Sequence, residues 1–151
     1  MSMSQAKGTV TGGEILGGGL ALCNHQTTPV NTFSLVLTTA ETLNSNQRLH
    51  FAVKADRTSA IRANAFATAR AKKFEAMYIA HCLCHISFGD KRRRDPANYY
   101  PTIKACIDGF VDAGLLADDD HKHLIGPDMR IDSVFSDKGH VGFRFEFREV
   151  A

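Results

Sequence analysis

The sequence predicts an α+β fold: one small domain in which a mixed sheet of about four strands packs with two main helices. Three observations carry that expectation. Apolar runs of strand length occur at 32–39 and 77–88, a C-terminal segment alternates strictly between apolar and polar residues, and two further stretches carry apolar residues at helical spacing. The chain has 151 residues, enough for one domain to bury its own core without disulfide or metal staples.

Residues 1–31 hold six of the twelve glycines and show no sustained period, so they read as a flexible arm ahead of a folded domain at 32–151. Thr32 to Thr39 is β-branched and apolar and reads as a first strand, which Asn44-Ser45-Asn46 breaks. From about Arg57 to Lys73 the stripe Ile61, Ala65, Ala69 and Lys72 predicts a helix, with Arg62, Arg70 and Lys73 on a basic outer face. Met77 to Phe88 is almost wholly apolar and reads as a central strand that delivers the chain into Lys91-Arg92-Arg93-Arg94.

Pro101 suits a first helical position, where its missing N–H costs nothing, so the main helix starts there. Its stripe is Ile103, Ile107, Phe110, Val111 and Leu115, and Gly114 reads as a left-handed cap. Leu124 to Ile131 forms another strand, and Gly126-Pro127 within it argues for an edge position or a bend. Finally Val141, Phe143, Phe145 and Phe147 alternate with Gly142, Arg144, Glu146 and Arg148, a strand with one buried and one solvated face.

Composition excludes several classes. A net charge of +2 is too small to make the whole surface a polyanion binder, so nucleic-acid affinity has to come from clustered charge. Four irregularly spaced cysteines do not make a secreted disulfide framework, and reduced thiols in a cytoplasm are the simpler reading. The run Ile15 to Cys23 contains three glycines, follows Glu14 and has Leu22 before the cysteine, which argues against an export signal. No apolar run approaches the roughly 18 residues that cross a bilayer.

The most informative stretch is Lys91-Arg92-Arg93-Arg94-Asp95-Pro96-Ala97-Asn98, with Asp118-Asp119-Asp120 downstream. Cations attract phosphates and carboxylates repel them, so the two belong side by side where a divalent metal lies between them. The alternatives are plain: the basic run is a solvated turn, Asp95 is a helix N-cap followed by proline, and the acid triplet is a solvated loop. A helix from Pro101 to Gly114 is roughly 20 Å long, and about six extended residues return that distance, which is the length of the segment from Leu115 to Asp120. Lys104, Asp108 and Asp112 share one helix face, either as surface ion pairs or with Lys104 aimed at a phosphate. His81-Cys82-Leu83-Cys84-His85 on a strand alternates between faces and cannot close around one zinc ion. His121 and His123 are candidates for phosphate contacts beside the triplet.

Taken in order, Arg92-Arg93-Arg94-Asp95-Pro96-Ala97-Asn98, then Lys104 to Leu116, then Asp118-Asp119-Asp120, resembles the RusA-like Holliday-junction resolvases over about residues 85–130. Leu43 to Arg48 is a fainter echo of the family's Asn-rich loop. The resemblance implies a small α+β homodimer, cytoplasmic, with neither membrane nor small-molecule cofactor, that cuts four-way DNA junctions with Mg2+, or Mn2+ in its place. It implies Asp95, Lys104 and Asp119 as catalytic residues, Asp95, Asp118, Asp119 and Asp120 as metal ligands, and Lys91, Arg92, Arg93, Arg94 and Asn98 as DNA contacts. One position departs from the pattern: Ala97 stands where the family's best-known members carry a second acid. Asp120, Asp108 and Asp90 are the candidates to replace it; the alternative is a protein that binds junctions and cuts them weakly. A protein-interaction dimer with a merely solvated basic turn is a third reading.

Overall fold

The computed structural model describes residues 28–151. Strands β1 (Val30–Thr38), β2 (Ala80–Phe88), β3 (Leu124–Ile131) and β4 (His140–Glu149) form one sheet in the order β1-β4-β2-β3. β4 is antiparallel to both neighbours, and β2 and β3 are parallel. That parallel pair needs a crossover, supplied by the 3-10 turn Pro96–Tyr99 and helix α2 (Tyr100–Asp112). Helix α1 (Phe51–Ala71) joins β1 to β2. The α+β class, the mixed four-stranded sheet and the two helices are therefore as the sequence predicts.

Alternation puts Phe33, Leu35 and Leu37 of β1, Cys82, Cys84 and Ile86 of β2, and Val141, Phe143, Phe145 and Phe147 of β4 into the core. α2 lays Ile103, Ile107 and Phe110 on that layer, and the Phe110 ring lies 4.8, 5.1 and 5.6 Å from those of Phe33, Phe145 and Phe147. His81 and His85 point to the opposite, open face, so the His-Cys cluster is split as expected. Burial pushes the thiols of Cys82 and Cys84 well above the ordinary cysteine value, which suits structural rather than reactive roles.

Several expectations need correction. The arm read at 1–31 lies outside the described residues up to 27, but β1 already starts at Val30. α1 begins at Phe51 rather than Arg57 and ends at Ala71, so Lys72 is an exposed cap with extended backbone instead of a member of the buried stripe. The extra turns at its start bury nothing, which is why apolar spacing did not reveal them. β2 starts at Ala80, three residues later than the apolar run. Gly142, expected in solvent, is buried: a Cβ there would come within 2.3 Å of the Ser87 hydroxyl and 2.9 Å of that of Ser136, because the β3–β4 connection folds over this end of the sheet. β3 is an edge strand whose pairing with β2 slips between His81 and Leu83, opposite Gly126-Pro127, as that dipeptide predicts.

Candidate active site

β2 ends at Phe88 and the chain turns through Gly89 into the basic run. Asp90 organises the turn by accepting from both terminal nitrogens of Arg94, at 2.5 and 3.0 Å, and from the backbone N–H of Arg92 at 2.9 Å. The Arg94 hydrogen bonds, then that N–H, hold the Asp90 carboxyl far below the usual carboxylate range. The Arg94 guanidinium also lies 4.4 Å from the centre of the Phe88 ring. Arg94 is thus a clasp within the fold, while Lys91, Arg92 and Arg93 project into solvent.

Asp95 accepts from the N–H of Ala97 at 2.9 Å and caps the 3-10 turn. The N-cap reading of this acid is therefore what the backbone does with it, and Asp95 stands exposed where the basic run meets the start of α2. The Asn-rich loop after β1 joins the same place. Ser45 N–H donates to the Asn98 carbonyl at 2.8 Å, and the buried Thr102 hydroxyl both accepts from Leu43 N–H at 2.7 Å and donates to Leu43 O at 2.8 Å. Arg48 and Lys54 consequently line a pocket with Asn44 and Pro101 at the entrance to α2. Sequence spacing gave no sign of Thr102, since nothing in a single threonine announces a partner 59 residues away.

Lys104, in the second turn of α2, is half-buried and its ammonium pairs with both Asp108 and Asp119. The segment after α2 therefore does return Asp119 along the helix, as its length allows. Burial opposes the Lys104 charge, but the hydrogen bonds to the two carboxylates outweigh it and raise its pKa; the bond from Lys104 in turn lowers that of Asp119. The linkage has a defined sign. The Asp119 share of stability is present above its unfolded value of 3.8 and is lost as pH falls through the lower folded value. The Lys104 share is present below 10.5 and is lost as pH rises through the higher folded value. Urea unfolding of wild type and Lys104→Met should differ most between about pH 5 and pH 9, by about 1 kcal/mol or less because Lys104 is partly exposed, and should converge at both extremes.

The rest of the triplet is otherwise engaged. Asp118 accepts from the N–H of Asp119 at 2.8 Å, while Asp120 accepts from Lys122 N–H at 2.9 Å and lies 2.6 Å from the ring Nδ1 of His123. Asp112 turns away from the α2 lysine to meet Arg62 of α1 in a two-point contact at 2.5 and 2.7 Å. The structure therefore brings Lys104, Asp119 and Asp108 together, leaves Asp95 as the cap of the 3-10 turn ahead of α2 and outside that cluster, and gives Asp120 and Arg94 structural tasks.

The Lys104 ammonium shows that Asp108 and Asp119 can converge on one cation. Among the described residues no group of three His, Cys, Asp or Glu side chains gathers as a metal-ligand set. Mg2+ asks for less, commonly one or two carboxylates, with water and phosphate oxygens filling the remaining positions. The donor chemistry at α2 fits that requirement. No family model matches the chain, and no curated protein does. Its reading rests on these residues and their geometry. Asp108 is the member that spacing alone could not select, because an i,i+4 pair with Lys104 looks the same whether or not a third group joins it.

Proposed function

We propose that this chain is a Mg2+-dependent, structure-selective endodeoxyribonuclease that resolves four-way DNA junctions as a homodimer. The observation that carries the reading is the Lys104 ammonium held between Asp108 and Asp119, on the helix that follows the basic run and Asp95. Asp119 and Asp108 would hold the ion, Asp108 taking the place of the acid missing at Ala97, with Asp118 beside Asp119. When bound, Mg2+ supplies an activated water and offsets phosphate charge. Lys104, beside these carboxylates, would donate to the non-bridging oxygens on which charge develops. Lys91, Arg92 and Arg93 grip the backbone without reading sequence, so binding weakens steeply with salt. A two-fold dimer suits the task because two equivalent strands need two equivalent sites.

The test is an end-labelled synthetic four-way junction incubated with the full chain. Paired nicks in strands of like polarity, appearing with Mg2+ and stopped by EDTA, are the expected result. A chain that neither binds nor nicks the junction would end the proposal.

One observation favours a second reading, a junction-binding protein that cuts weakly: Asp95 already accepts from the Ala97 N–H, and Ala97 itself brings no carboxylate. Ala97 is exposed in the first turn of a helical segment, where an acid is tolerated and favoured. On that reading Ala97→Asp folds normally and gains Mg2+-dependent nicking at unchanged junction affinity. Equal rates for the two proteins would remove the reading.

A further inference from the structure

The connection between β3 and β4 holds two large apolar side chains out in water: Val134 is 66% exposed and Phe135 55% exposed. It is not a slack loop. Asp132 N–H donates to Ile86 O at 2.8 Å, Ser136 N–H donates to Phe88 O at 3.0 Å, and the Ser87 and Ser136 hydroxyls lie 2.7 Å apart. Gly89 permits the approach, since a Cβ there would fall 2.6 Å from the Asp137 carbonyl oxygen. Phe135 is therefore presented from a frame pinned on both sides to the end of β2, where the basic run emerges.

Charge surrounds it. The Lys91 ammonium lies 5.9 Å from the Phe135 ring centre, and the ring shares a groove with Phe88, Arg92 and Arg94 and with two carboxylates, Asp90, which Arg94 neutralises, and Asp132, which accepts from Val134 N–H. An exposed aromatic on a rigid mount beside cations matches the way proteins hold unpaired nucleotides: bases stack on the ring while the backbone follows the charge. A second copy of the chain is a poorer occupant, because a two-fold contact centred on Phe135 would draw two copies of Lys91, Arg92 and Arg93 together.

We propose that Phe135 is a stacking platform for an unpaired DNA base whose backbone lies along Lys91, Arg92 and Arg93. The proposal rests on the reading of DNA as substrate but requires no cutting. It would place an unstacked base, such as those at the branch point of a junction, beside the strand that runs toward Asp95.

The chain has no tryptophan, so Phe135→Trp installs a single reporter at an exposed position where the fold tolerates it. Titration with a single-stranded oligonucleotide and with the four-way junction should quench its emission with the same midpoint as the anisotropy of labelled DNA. Phe135→Ala should bind about tenfold more weakly, and Phe135→Trp should not. Tight binding with unaltered emission, together with wild-type affinity for Phe135→Ala, would overturn the platform while leaving DNA binding intact. So would a Phe135→Ala protein that sediments as monomer where the wild type is a dimer and binds DNA as before. A wild type that binds no DNA removes the nuclease reading and the platform with it, an outcome distinct from both.

Discussion

Asp119→Asn is expected to abolish Mg2+-dependent cleavage of a four-way junction, lowering the single-turnover rate by at least about 10²–10³-fold, while junction binding is kept. The reasoning starts from what the substitution removes. Asn preserves the shape of the side chain, and it still reaches Lys104, but it withdraws one of the two charges that surround the ammonium. It also withdraws the hard anionic oxygen that a Mg2+ ion prefers. Binding does not suffer, because a carboxylate beside phosphate opposes the contact that Lys91, Arg92 and Arg93 supply. The neighbours provide controls within the same three residues. Asp120→Asn leaves a group that can still cap its turn through the oxygen facing Lys122 and His123, and Asp118→Asn leaves an acceptor for the Asp119 N–H; both should cut within a few-fold of wild type. Binding is measured in Ca2+ and cleavage in Mg2+. Wild-type cleavage by Asp119→Asn, or an equal loss for all three variants, would sink the site assignment.

The elements that could be read from sequence are those whose periodicity reports burial. β4 alternates phenylalanine with charge over three cycles, and each of those phenylalanines is in the core. The α2 stripe and its Gly114, with φ at +94°, follow from the same logic of one buried face and one left-handed cap. α1 was legible only where Ile61, Ala65 and Ala69 touch α2, since none of residues 51–60 is buried and propensity alone sets its start. The site divides along the same line. Chain length allowed Asp119 to return to α2, but which of three adjacent acids faces the lysine depends on turn geometry that spacing does not encode. Long-range pairs such as Arg62 with Asp112 and Thr102 with Leu43 arise from packing that no local signal announced, and the capture of Arg94 by Asp90 and Phe88, though local, depends on the shape of the turn between them.

Gly109→Ala is expected to destabilise the fold by about 1–3 kcal/mol, although a glycine in mid-helix is ordinarily improved by about 1 kcal/mol on replacement with alanine. The sign reverses because α1 and α2 cross at this residue. A Cβ on Gly109 would lie 2.3 Å from the Arg62 carbonyl oxygen, 2.8 Å from the Ala65 Cβ and 3.0 Å from the Phe66 nitrogen. Two of those three atoms are backbone and cannot swing aside, so the helices must separate. Separation strains the Arg62–Asp112 contact and lifts the buried Ile61, Ala65 and Ala69 from their seat on α2. Ala65→Gly in the same chain clears only the side-chain clash, so it should not restore wild-type stability. Gly114→Ala is the informative contrast. Nothing lies within 4 Å of a Cβ there, and its cost of about 1 kcal/mol comes from the left-handed backbone alone. Urea midpoints at neutral pH give the ranking, wild type above Gly114→Ala above Gly109→Ala. A Gly109→Ala protein more stable than wild type would mean that the two helices do not approach one another as closely as the backbone at Arg62 requires.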